Sequence, residues 1–154
     1  MESETPQTIT RKNILELAYN ACWKGINTIR EHFNGHGKKS DVIEFEIMSD
    51  KAIHALRGSD YGLCEKLGSL TRKSLILFNE YWSARESYQK DSKEYGEALR
   101  KEEDSSQHLN RMSKAQTEMN EATKELDILS REIYHFSENE LKAELDRAEK
   151  YTDQ

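Results

Sequence analysis

The sequence predicts an all-α fold: a long antiparallel helical hairpin of coiled-coil type with a shorter N-terminal helical part. Three observations predict it. From Leu63 onward, Leu63, Leu70, Leu77, Ala84 and Ala98 recur at one heptad position while Leu67, Tyr81, Tyr88 and Tyr95 fill the other. A second heptad follows, with Met112, Met119, Leu126 and Ile133 each trailed three residues later by Ala115, Ala122, Leu129 and Phe136. A 3.5-residue apolar repeat held this long belongs to helices that pack against a partner stripe. Finally, Pro6 is the only proline and all seven glycines lie between Gly25 and Gly96, so no helix breaker follows Gly96.

The elements follow in chain order. Residues 1–9, polar and containing Pro6, are expected to form a disordered leader, and residues 10–154 a single helical domain. Within it, residues 10–60 supply base helices and residues 61–154 the hairpin. Thr10 is the expected N-cap of a first helix reaching about Phe33. Its apolar stripe is Ile14, Leu17, Ala18, Ala21, Cys22, Ile26, Ile29 and Phe33. Gly35 or Gly37 supplies the left-handed residue that ends it.

Asp41–Leu56 carries two patterns. Ile43, Phe45 and Ile47 alternate with Glu44 and Glu46 as on a half-buried strand, while Val42, Phe45, Met48 or Ser49, Ala52, Ala55 and Leu56 follow helical spacing. A lone strand in a helical chain has no pairing partner, so helix is the expectation. A loop follows over Gly58–Gly62, then a helix from about Leu63 to Glu103, roughly 60 Å long. Asp91 stands at one of its core positions. Asp104-Ser105-Ser106 is the expected turn into the last helix, which runs to about Tyr151. Ser137 and Glu140 have capping-box spacing, which predicts a break or restart near Ser137.

Composition narrows the function. Apolar residues make up 35% and charged residues 34%, which leaves little core and much solvated helix surface. Net charge is −6, concentrated in residues 116–154, where 11 acidic residues face 5 basic ones. Bulk attraction to nucleic acid is therefore not expected. Cys22 and Cys64, far apart, suit a reducing compartment. No apolar run is long enough for a signal peptide or a membrane span. A cytoplasmic protein, peripheral on membranes if it meets them, is expected.

Glu80-Tyr81-Trp82-Ser83-Ala84-Arg85-Glu86-Ser87-Tyr88 resembles a stretch of the second long helix in amphiphysin-type BAR domains. Lys114–Ala122 and Ser137–Leu145 follow in matching order, so the resemblance covers residues 77–151. It implies a crescent-shaped dimer of long helices that binds curved, anionic membranes. Lys90, Lys93, Arg100, Lys101, Arg111 and Lys114 would then stand where the family's membrane contacts lie. The first helix is shorter than the family's, and the concentrated lysine clusters are missing.

The function expected is a non-catalytic helical interaction or scaffold module, self-associating as a homodimer and binding a protein partner. Its seam, within one hairpin or between two chains, comprises Leu63, Leu67, Leu70, Leu77, Tyr81 and Tyr88 against Met112, Met119, Leu126, Leu129, Ile133 and Phe136. A BAR-like membrane scaffold is the alternative, and an acidic inhibitor of a nucleic-acid enzyme a lesser one. No nucleophile elbow, phosphate loop or zinc-protease motif occurs, so no enzyme, cofactor or metal is expected. His32 and His36, four apart near Glu31, read as exposed residues at a helix end; His54, His108 and His135 read as isolated.

Overall fold

The computed structural model describes residues 10–152; the leader expected over residues 1–9 lies outside the described residues. All regular structure among the described residues is helical: α1 (Arg11–Phe33), α2 (Lys39–Arg57), α3 (Tyr61–Arg100), α4 (Ser106–His135), a π-helical segment (Phe136–Leu141) and α5 (Lys142–Thr152). No helix among them is long and apolar enough to cross a membrane.

Local chemistry sets the helix ends. Thr10 caps α1, its hydroxyl accepting from Asn13 N at 3.2 Å. Gly35 (φ +83°) provides the left-handed turn after α1, and the N–H groups of Gly35 and His36 return to the carbonyls of His32 and Glu31. Asp60 caps α3, with Leu63 N donating to its carboxylate at 3.1 Å, so α3 begins at Tyr61, inside the expected loop. It stops at Arg100, short of Glu103. Asp104 then organises the tip by accepting from the backbone N–H and hydroxyl of Ser106.

α2 decides the ambiguous segment for helix. Phe45, Ser49, Ala52 and Leu56 are buried on one side, whereas Ile43 and Ile47 are exposed. Alternation in the sequence thus reflected two outward isoleucines rather than a strand face. α1 likewise departs from its expected stripe: Leu17 and Phe33 are exposed, while Leu15 and His32 are fully enclosed.

Helix contacts close a ring, α1 on α2, α2 on α3, α3 on α4 and α4 on α1, with α5 returning to α1. The core runs through Leu15, Ile29, Phe45, Leu56, Leu67, Phe78, Leu126, Ile133 and Leu141. Gly25 permits the close α1–α2 approach, because a Cβ there would stand 2.6 Å from the Phe45 ring. Lys24 reinforces the same pair through Asp41 (3.2 Å) and Glu44 (3.1 Å). Arg11 joins the start of α1 to Asp60 (3.3 Å) and to Glu144 of α5 (2.9 Å).

α3 and α4 pack against each other. Lys66 pairs with Glu140 of the π-helical segment, Leu77 shares a groove with Leu129, and Asp91 meets Arg111. Beyond Tyr81 the fully buried apolar residues of this pair are Ala84, Ala98, Ala115 and Ala122, so the buried part of the distal seam is built of small side chains.

The α-helix is interrupted near Ser137 as expected, between His135 and Lys142, but not by a capped restart. No cap forms there; the helix continues through a π-turn, with Ser137 buried and its hydroxyl donating to Tyr134 O at 2.9 Å. The turn inserts one residue into the stripe. The heptad through Ile133 would next present Glu140, but Leu141 is the residue buried, with Leu145 and Ala148 packed behind it.

Candidate functional site

A groove follows the outer side of α3 and α4. Ile76, Leu77, Ala122, Ile128 and Leu129 line it, with Glu80, Glu118, Glu121, Glu125 and Glu132 around its rim and Lys73 as the basic exception. The helical repeats explain its makeup. Leu129 and Ala122 belong to the buried seam, while Ile76 and Ile128 each stand one position before a seam residue and remain 58% exposed. The glutamates fall on the solvent side of the same turns, and all five are exposed. From Glu118 to Glu132 the groove spans roughly 21 Å at the helical rise. It offers an apolar floor, strong negative charge and open access.

The expected seam residues occupy graded positions. Leu63, Leu67, Tyr81, Leu126, Leu129, Ile133 and Phe136 are buried; Leu70, Leu77, Tyr88, Met112 and Met119 are half-buried. The sequence reading missed Thr71, Ser74 and Phe78, which are buried because α3 also packs against α2. Their signal was a second stripe beside the heptad, visible as Leu67, Thr71, Ser74 and Phe78.

Of the basic residues expected at a membrane, Lys90, Lys93, Arg100, Lys101 and Lys114 are exposed without a charged partner among the described residues. Arg111, also exposed, is engaged with Asp91 at 3.5 Å. Arg85 lies 4.8 Å from the centre of the Trp82 ring and Lys39 lies 5.3 Å from it.

Two histidines depart from expectation. His32 is buried, not exposed. It packs on Phe78 (4.8 Å between centroids), Tyr81 (5.2 Å) and Trp82 (5.8 Å). The Thr28 carbonyl can only accept and lies 2.8 Å from Nδ1, while Trp82 Nε1–H can only donate and reaches Nε2 at 3.0 Å. These partners specify the neutral ring with its proton on Nδ1. Burial holds its pKa below the ordinary value, and the Thr28 carbonyl opposes that shift. His36, by contrast, is exposed, so the two do not form a ligand pair.

His108 is not isolated. Its Nδ1 lies 3.3 Å from Glu94 Oε2 and 3.5 Å from Asp91 Oδ1, across the distal seam. Among the described residues these three form the one group of histidine and carboxylate ligands close enough to share a metal ion. Only folding brings them together.

Comparison of the chain with protein-family models, curated proteins and solved structures finds no match. The site must speak through its own chemistry.

Proposed function

We propose that this protein is a non-catalytic helical interaction module whose α3 and α4 form an antiparallel hairpin, and that its outer groove receives a basic amphipathic helix. The acidic, apolar-floored groove carries this reading. Ile76 and Ile128 present exposed apolar surface at one level of it, and five glutamates surround them against one lysine. Its length accommodates about four turns of helix. An amphipathic helix laid in such a groove buries its apolar stripe while its lysines and arginines meet the rim. A second copy paired face to face would set glutamate against glutamate, so this face suits a basic partner better than itself. The exposed rim carboxylates remain hydrated, unlike the desolvated acids that proton-transfer catalysis uses.

Fluorescence anisotropy with a labelled 18-residue leucine–lysine amphipathic peptide tests the reading. Its scrambled isomer, lacking the apolar stripe, is the control. We expect salt-sensitive binding of the amphipathic peptide and at least about a tenfold loss when Ile76 and Ile128 are both changed to Asp. Equal binding of both peptides, or unchanged binding by the folded double variant, would overturn it.

A membrane-facing arm is the second reading, favoured by the exposure of Lys90, Lys93, Arg100, Lys101 and Lys114 towards one end of the hairpin. Each basic residue near an anionic surface contributes about 1 kcal/mol. The adjacent acids Glu97, Glu102, Glu103 and Asp104 reduce that attraction.

A further inference from the structure

We propose that Asp91, Glu94 and His108 form a binding site for a first-row divalent transition-metal ion, for which Zn2+ is the reference, joining the distal parts of α3 and α4.

The placement of Asp91 first calls for an explanation. It occupies an apolar heptad position and its side chain is only 10% exposed, among helices whose local seam is largely alanine. A buried carboxylate is costly unless it is paired or bound to a cation. Its two ionic contacts, with His108 and Arg111, are both 3.5 Å, longer than an ordinary charge-assisted hydrogen bond.

His108 poses the complementary problem. Its Nδ1 is buried, yet it has no hydrogen-bond partner, although two carboxylate oxygens stand 3.3 and 3.5 Å away. As a proton donor, Nδ1 is poorly aimed at either oxygen. As a bare lone pair facing two carboxylates, it would repel both. A cation among the three atoms resolves both problems, since all three are electron-pair donors.

The distances fit that assignment. Zinc bonds to histidine nitrogen and carboxylate oxygen are about 2.0–2.1 Å, which places neighbouring ligands of a tetrahedron roughly 3.3–3.4 Å apart. The two nitrogen–oxygen separations, 3.3 and 3.5 Å, lie at that edge length, and the three ligand atoms are all within 4.8 Å of one another. Asp91 and Glu94 share a face of α3 by their three-residue spacing, and His108 faces them from the first turn of α4. Water would complete a four-coordinate shell. One imidazole with two carboxylates favours transition metals over Mg2+ and Ca2+, which take oxygen ligands in larger shells. Arg111 competes for Asp91 Oδ1, but it is 56% exposed and free to turn outward.

The test is titration of the full chain, stripped by chelator dialysis, with Zn2+ against a chromophoric competitor and with Co2+ followed by visible absorption. We expect one equivalent bound, tetrahedral Co2+ bands, and a raised unfolding temperature. His108→Ala and Asp91→Asn should each weaken uptake by about tenfold or more, since even outer-shell losses reach that size. Glu94→Gln, at a half-exposed position, supplies a variant whose folding is least at risk. Arg111→Ala should tighten uptake by removing the competitor, which a purely structural ion-pair cluster does not predict. His36→Ala should leave uptake unchanged. Absence of stoichiometric uptake would overturn the site, as would uptake indifferent to His108 and Asp91 or matched by Mg2+.

Discussion

His32 shows how a single side chain can be fixed by its partners. Its neutral form satisfies an obligate acceptor, the Thr28 carbonyl, and an obligate donor, the Trp82 indole. Protonation would place two N–H groups face to face at Trp82. Because the folded pKa is depressed, the unfolded chain binds this proton at higher pH than the folded one. The contribution is therefore fully present above the ordinary value of 6.5 and is lost as pH falls through it towards the folded value. Urea midpoints at about pH 7.5 and about pH 5.5 should fall more for the natural chain than for His32→Phe; equal falls would dismiss the effect. Gly37 gives a second residue-scale prediction. A Cβ there would stand 2.3 Å from His32 Cγ, so Gly37→Ala should cost about 1–3 kcal/mol in denaturant unfolding. Gly58→Ala, where no atom lies within 4 Å, should be nearly neutral. The sequence placed His32 at a helix end but concealed its burial. Trp82 and Phe78 are about fifty residues away in the chain and reach it only through α3.

At the scale of elements, the heptads announced α3 and α4, and the cap Thr10 and the turn residue Asp104 were visible as residue types. The π-turn was also written in the sequence, as a stripe that passes from Ile133 and Phe136 to Leu141 and Leu145 one residue late. Capping-box spacing masked it, because Ser137 instead points inward and donates to Tyr134 O. One-residue deletions test this account. Removing exposed Asn139 should restore a plain α-helix, retain both buried stripes and keep Tm within about 4 °C, equivalent to roughly 1 kcal/mol. Removing exposed Lys124 should displace Leu126, Leu129 and Ile133 from the core and unfold the chain. If circular dichroism finds the two deletions equally harmful, the inserted residue is not at Phe136–Leu141.

For the whole molecule, the buried seam and the open groove make separable predictions. Leu126→Asp with Leu129→Asp places unpaired charge at two buried positions and should abolish cooperative unfolding, since one such breach costs about 3–5 kcal/mol. Ile76→Asp with Ile128→Asp alters exposed positions and should leave helicity intact while removing peptide binding. Charge reversal at Lys90, Lys93, Arg100 and Lys101 should eliminate any salt-sensitive sedimentation with anionic vesicles. Persistent sedimentation would exclude those residues as the membrane contact. Light scattering addresses the expected homodimer: a single-chain mass across the working concentrations would reject it.

By itself the sequence determined the all-α class, the approximate helices and the excess of acid over residues 116–154. Heptad spacing, caps and the lack of breakers act along the chain, so neighbouring residues suffice to read them. Tertiary structure decided which apolar residues would be covered. It buried Phe78 against α2 and left Ile76 and Ile128 open, though all three look alike as apolar residues. It also enclosed His32 and brought Asp91 and Glu94 to His108. Burial and ligand geometry depend on what another helix presents across space, and only packing of the helices sets that relation.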